Sequence, residues 1–273
     1  MKSLVLFSVS LFSLNTLANL IPSTQNEFCT NHQDKTRIQD YLEFSENLMS
    51  FKNDGGVFDG GVCWWHSRFQ RNMAYLAIFR PEKSLIPKKE IRSLLNQIRN
   101  GKTVVEIPGF LNVKDFTQYY QKEIQTLLND WQILEGGLQG GWQRGIQGKT
   151  SLDPKVLSPM MDRLYDYVEN QKKIAYQKLQ IKGITAHAWL VHRMKKMEDG
   201  YILSYVDSNA PQEVLTYHYK YVDRSFFIKG YGNFVPYLEF VKEEERLTTV
   251  AKAYCQTGLN LLPDIFENPI YEK

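Results

Sequence analysis

Apolar residues recur at helical spacing along the chain to about residue 180, and from Gly183 the period changes to that of strands. Ile38, Tyr41, Leu42 and Leu48 predict a helix over Arg37 to Phe51. Asn53 to Gly61 is a loop by composition, and a helix is expected from Cys63 to Phe79, directly after the glycines. Pro81 and Pro87 punctuate the chain before a helix carrying Ile91, Leu94, Leu95 and Ile98. The β-branched run Thr103 to Ile107, ahead of Pro108-Gly109, predicts a short strand. Phe116 to Trp131 and Val156 to Leu179 both have helical spacing, and the Gly- and Gln-rich stretch Gly136 to Gly148 between them reads as an ordered surface loop. Ile184 to Met194, Tyr201 to Val206 and Val214 to Tyr221 read as strands, with a hairpin turn at Glu198-Asp199-Gly200. A closing helix is expected over Val235 to Tyr254, its Lys242-Glu243-Glu244-Glu245-Arg246 charges forming a solvated face. Helices first and strands later predict an α+β fold. It divides into a helical lobe over about 30–180, a sheet lobe over about 183–235 and the closing helix over about 235–255.

Composition sets bounds on this picture. The 273 residues, 43% hydrophobic and 23% charged, suit one globular domain and exclude wholesale disorder and collagen-like or coiled-coil repeats. Thirty-three basic residues against 30 acidic ones give a net charge of +3, without the clustered basic face that nucleic-acid binding uses. The N-terminus has a separate meaning. Met1-Lys2, the apolar run Ser3 to Phe12 and the small residues around Thr16-Leu17-Ala18 have the layout of a secretory signal peptide cleaved after Ala18. The expected mature domain, 19–273, then has no integral membrane segment and is periplasmic or extracellular. Export makes the odd number of cysteines informative. A bridge between Cys29, near the mature N-terminus, and Cys255, near the C-terminus, is geometrically plausible and leaves Cys63 as a thiol.

Three places carry candidate chemistry. In Gly60-Gly61-Val62-Cys63-Trp64-Trp65-His66-Ser67, the cysteine opens a helix. The positive end of the helix dipole and the first-turn N–H groups favour thiolate there and can receive an oxyanion. His187, between Ala186 and Ala188 on the first strand, has room to take the thiol proton. Asp207, in Val206-Asp207-Ser208-Asn209-Ala210-Pro211, follows the returning strand and can accept the second N–H of His187, with Asn209 the rival for that role. A Cys63-x-x-His66 pair lacks two further ligands for zinc, and His187 and His192 fall on opposite strand faces, so no metal or cofactor site is expected.

The order Cys63, His187, Asp207/Asn209, with the cysteine opening a helix after a glycine-rich turn and the His-Ala pair on a strand, resembles the papain-like cysteine peptidase superfamily. The resemblance implies two lobes with the active site in the cleft between them. Cys63 would be the nucleophile and His187 the base in cleavage or transfer of an acyl group from a protein or peptide substrate. Val57 stands where papain-like enzymes place an oxyanion-hole Gln; Asn53, Asp59 or a residue of 136–148 would have to replace it. His187-Ala188-Trp189 followed by a strand and Asp207 also resembles transglutaminase-core proteins, which use the triad for acyl transfer to an amine, and peptidases of the double-glycine type share the His-Ala strand. The departure at Val57 leaves a further alternative, a secreted binding protein on the same fold without activity.

Overall fold

The computed structural model describes residues 20–56, 61–138, 150–180, 186–229, 232–239 and 241–260. The expected signal peptide, Val57, Asp59, Ile184 and most of the Gly136 to Gly148 loop lie outside them. The architecture is α+β, as the change of period predicts. Helix α1, Gln25–Gln33, starts with a capping box in which Thr24 accepts from the Glu27 N–H and the Glu27 carboxylate accepts from the Thr24 N–H. Helix α2, Lys35–Asp40, is shorter than the expected Arg37 to Phe51 element. The chain breaks into single turns at Tyr41–Glu43 and Ser45–Asn47, where the Asn47 side chain donates to the Tyr41 carbonyl.

Helix α3, Cys63–Leu76, lies at the centre of the larger core, with every residue except Trp64 buried. It ends three residues before the expected Phe79, because Ala77–Arg80 becomes strand β1. After α4, Arg92–Asn100, strand β2, Val105–Pro108, pairs with β1 in parallel. Helices α5, Val113–Tyr119, and α6, Gln121–Gln132, replace the single helix expected over Phe116 to Trp131, and α6 continues as a wider turn over Ile133–Leu138.

Helix α7, Pro154–Tyr165, begins with Asp153 as cap and proline in its first turn. The helix expected to reach Leu179 stops well short of it. A wide turn over Asp166–Asn170 and a positive φ at Lys172 redirect the chain into strand β3, Ala175–Gln180. Apolar residues at 175, 176 and 179 satisfy helix and strand spacing alike, so so short a run does not choose between them.

Strands β4, Ala186–Lys196, β5, Gly200–Asp207, and β6, Ala210–Lys220, follow, then β7, Phe226–Ile228, and β8, Gly232–Glu239. They form one six-stranded antiparallel sheet in the order β6-β5-β4-β3-β8-β7. The sheet curls almost closed: the Phe227 N–H of one edge strand donates to the Tyr217 hydroxyl of the other at 2.8 Å, and the Tyr217 and Phe226 rings meet at 5.1 Å. At the β4–β5 hairpin Gly200 is obligatory, since a Cβ there would lie 1.9 Å from the Tyr219 carbonyl oxygen. The closing helix begins later than expected: Val235 to Glu239 belongs to β8, and α8 spans Val241–Thr257.

Alternation along β4 sorts the two cores. Ala188 and Leu190 pack toward α3, whereas Trp189 and Val191 join Leu157, Met161 and Leu164 of α7 on the other face. Strand β4 is therefore apolar on both faces through its buried stretch. Helix α8 packs back on α3 and α1, and a disulfide joins Cys29 to Cys255, their Cα atoms 5.6 Å apart. That bond fits an exported protein. Among the described residues no helix is long and apolar enough to cross a membrane.

Candidate active site

The start of α3 is shaped by the turn before it. Gly61 has φ +79°, and a Cβ on it would sit 2.3 Å from the Asn53 side-chain oxygen, so only glycine fits. No side chain caps α3, whose N-cap is the apolar Val62. Cys63 therefore stands at the positive end of the helix with the oxygen acceptors of a usual N-cap missing.

Three successive carbonyls of β4 hold this end of α3. Cys63 Sγ lies 3.7 Å from the Ala186 oxygen, the Trp64 indole N–H donates to the His187 oxygen at 3.1 Å, and the Ser67 hydroxyl donates to the Ala188 oxygen at 3.3 Å. The cysteine helix is thus strapped to the strand that carries the histidine. His187, Asp207 and Cys63 are all buried, Cys63 being 9% exposed.

His187 Nε2 is 2.8 Å from both carboxylate oxygens of Asp207. The ring is also hydrogen-bonded to Cys63. Burial alone would lower the basicity of His187. The hydrogen bonds and charges of Asp207 and Cys63 outweigh it and raise the imidazole to about 10. At neutral pH the ring is an imidazolium between two groups that favour its charge.

Of the two residues weighed as the orienting group, Asp207 makes the contact. Asn209 gives its backbone N–H to Asp207 Oδ1 at 2.8 Å, and its side-chain oxygen accepts from Asn53. The Asn53 side-chain NH2 donates to both Asn209 and the Ser208 hydroxyl, the latter at 2.7 Å. Its main chain bonds to Ser208 on one side and Val62 on the other. Asn53 thus clamps the turn before the cysteine to the turn after the acid, and its amide hydrogens are already in use rather than aimed at an oxyanion. His66 is a core residue: its Nε2 meets the Phe51 carbonyl at 2.9 Å, and burial lowers its basicity to about 4.

Behind the site lies a set of buried charges that sequence reading placed in solvent. Glu243 accepts from Arg68 at 2.6 Å and Arg71 at 2.5 Å, and Arg68 also bonds Glu135. Burial would raise the Glu243 carboxyl, but the two guanidinium groups hold it down at about 2. Glu244, 1% exposed, accepts from the Tyr75 hydroxyl. Burial pushes it up to about 7 against that bond and the nearby Arg71 and Lys173. A carboxyl raised in the folded state contributes stability below its ordinary value near 4.5, and that contribution is lost as pH rises through about 7. Glu244→Gln is accordingly expected to be more stable than the parent at pH 8, by about 1–3 kcal/mol, and to lose that advantage at pH 4. Urea unfolding at the two pH values checks it; an advantage equal at both would contradict the assignment.

Lys178, Trp64, Tyr176 and Ser67 also surround the pair. Sequence analysis missed Lys178 because it lay inside an expected helix, where a lysine carries no message. Among the described residues no group of three or more His, Cys, Asp or Glu side chains is placed to hold a metal ion. Comparison with protein-family models, with curated proteins and with solved structures returned no match.

Proposed function

We propose that this protein is an exported thiol enzyme that cleaves or transfers an acyl group at an amide bond of a protein or peptide, with Cys63 as nucleophile, His187 as base and acid, and Asp207 as the orienting group. One observation carries the reading: a cysteine at an uncapped helix start shares its histidine with a buried aspartate. In the proposed sequence the Cys63 sulfur attacks the substrate carbonyl carbon, and the carbonyl π electrons move onto oxygen, facing the N-terminus of α3. Collapse breaks the C–N bond as the His187 imidazolium gives its proton to the departing amine. A thioester on Cys63 remains. Water, or an acceptor amine, then gives a proton to His187 and bonds to the acyl carbon, and the sulfur leaves as thiolate. Asp207 keeps the ring in one tautomer throughout.

The papain-like resemblance and the Cys-His-Asp order support hydrolysis by a cysteine peptidase first, with acyl transfer to an amine as the second reading. Its test is p-nitrophenyl acetate with the folded protein. A burst of one equivalent of p-nitrophenol and a single acetyl group located on Cys63 by peptide mass spectrometry are expected, both lost in Cys63→Ala and slowed in His187→Ala. Absence of the burst, or a burst that survives Cys63→Ala, points instead to a binding protein on this fold. Adding a primary amine then separates the two enzyme reactions.

A further inference from the structure

Lys178 is a lysine inside the protein, 6% exposed, on the strand paired with β4: it stands opposite Ala188, beside the Leu179–His187 pair. Its Nζ lies 3.7 Å from the centroid of the Trp64 ring. The same indole donates its N–H to the His187 carbonyl, and the Trp64 carbonyl in turn accepts from the Tyr176 hydroxyl at 3.0 Å. A cation on the face of an indole draws electron density from the ring, which makes the N–H a stronger donor. Ammonium, indole and carbonyl therefore form one chain ending on the backbone of the proposed base.

We propose that Lys178 is a positioning residue for the Cys63–His187 pair, its charge on the Trp64 ring tightening the Trp64 bond to the His187 carbonyl. The inference rests on the thiol reading above and gives it an electrostatic partner from outside the triad. The charged and titratable groups facing Lys178 are Arg68 and Cys63 of α3, Glu135 from the extension of α6, Glu243 of α8, and Tyr176 on its own strand. Burial and Arg68 draw the amine down to about 7, while Glu243, Glu135 and Cys63 pull it up. Its charge is thus sensitive to that of the sulfur.

The test is the pH profile of Cys63 alkylation by iodoacetamide in the folded, disulfide-intact protein. Lys178→Met is expected to move the acid limb of the profile upward by about one pH unit, and Lys178→Arg, which keeps the charge, to leave it within about 0.3 unit of the parent. A merely structural lysine would alter the melting temperature and not the limb. Overlap of the Met and parent profiles, or an Arg shift as large as the Met shift, overturns the inference. Should Lys178→Met fail to fold, Trp64→Phe, which keeps a ring under the amine but removes the N–H, must move the limb in the same direction; an unmoved limb overturns it too. His187→Ala is run alongside. If its profile matches the parent the thiol reading itself fails, whereas if it differs and the Met profile does not, only the role of Lys178 falls.

Discussion

Replacing His187 by alanine lowers the rate of Cys63 alkylation at pH 6 by about tenfold, and the difference closes above pH 9. Asp207 and Cys63 hold His187 as an imidazolium to about 10, so through the acid and neutral range a cation faces the sulfur. Without it the sulfur loses the facing cation that favours its ionised form. The gain from ionisation is partly offset, because a thiolate of lower basicity is a weaker nucleophile, with a Brønsted slope of about 0.4–0.5; about tenfold remains. The assay is clean because Cys29 and Cys255 are tied in a disulfide and Cys63 is the free cysteine of the chain. His187→Ala leaves Asp207 buried without its partner, so circular dichroism must first establish that the variant is folded. A folded variant whose profile lies on that of the parent would remove the ion pair and the catalytic reading with it.

The second large effect concerns the frame rather than the chemistry. Cys29→Ser with Cys255→Ser is expected to destabilise the fold by about 5 kcal/mol in the chain-entropy account, since the bond closes a loop spanning a sequence separation of 226 residues. For a chain of this size that lowers the thermal midpoint by roughly 10–20 °C. Without the bond α8 is retained by its buried Leu247, Val250 and Ala251 and by the Glu243 pairs with Arg68 and Arg71. Those same arginines lie on the cysteine helix, so loosening α8 should also slow Cys63 alkylation. A calorimetric midpoint within about 2 °C of the parent would show that packing and ion pairs alone secure the helix.

How much of this was legible beforehand depends on whether a signal is local. Cys63 opens a helix directly after a glycine turn, and that turn is visible in consecutive residues. The three strands β4, β5 and β6 and the Gly200 hairpin announce themselves by β-branched and aromatic runs, and the Cys29–Cys255 pairing was suggested by the nearness of the two cysteines to the two chain ends. Strands β1 and β3 did not, because each is a short run that fell at the end of an expected helix. Strand β8 was hidden inside an expected helix, and Pro236 sits where its pairing with β3 shifts register. The charges of α8 misled for another reason: Glu243 and Glu244 look like solvent-facing residues until Arg68, Arg71 and Tyr75 of α3, 169 to 175 residues away in sequence, are brought to meet them. Asn53 likewise joins residues 155 and 156 positions distant, so its clamp exists only in the folded chain.

The burial of α3 bears on how mutational tolerance can be read in this protein. Thirteen consecutive or near-consecutive positions of one helix, from Cys63 to Leu76, face the interior, including Arg68, Gln70, Arg71 and Asn72. In a scan scored by protein abundance nearly the whole helix should be depleted of substitutions, whatever its chemistry, because each change costs packing or strands a buried polar group. Intolerance there is therefore no mark of a reaction. The informative signal is the opposite one: small, isosteric replacements such as Cys63→Ser that keep abundance and lose turnover. Nature changing the substrate of this scaffold would have to leave the nucleophile helix nearly fixed and vary what surrounds it.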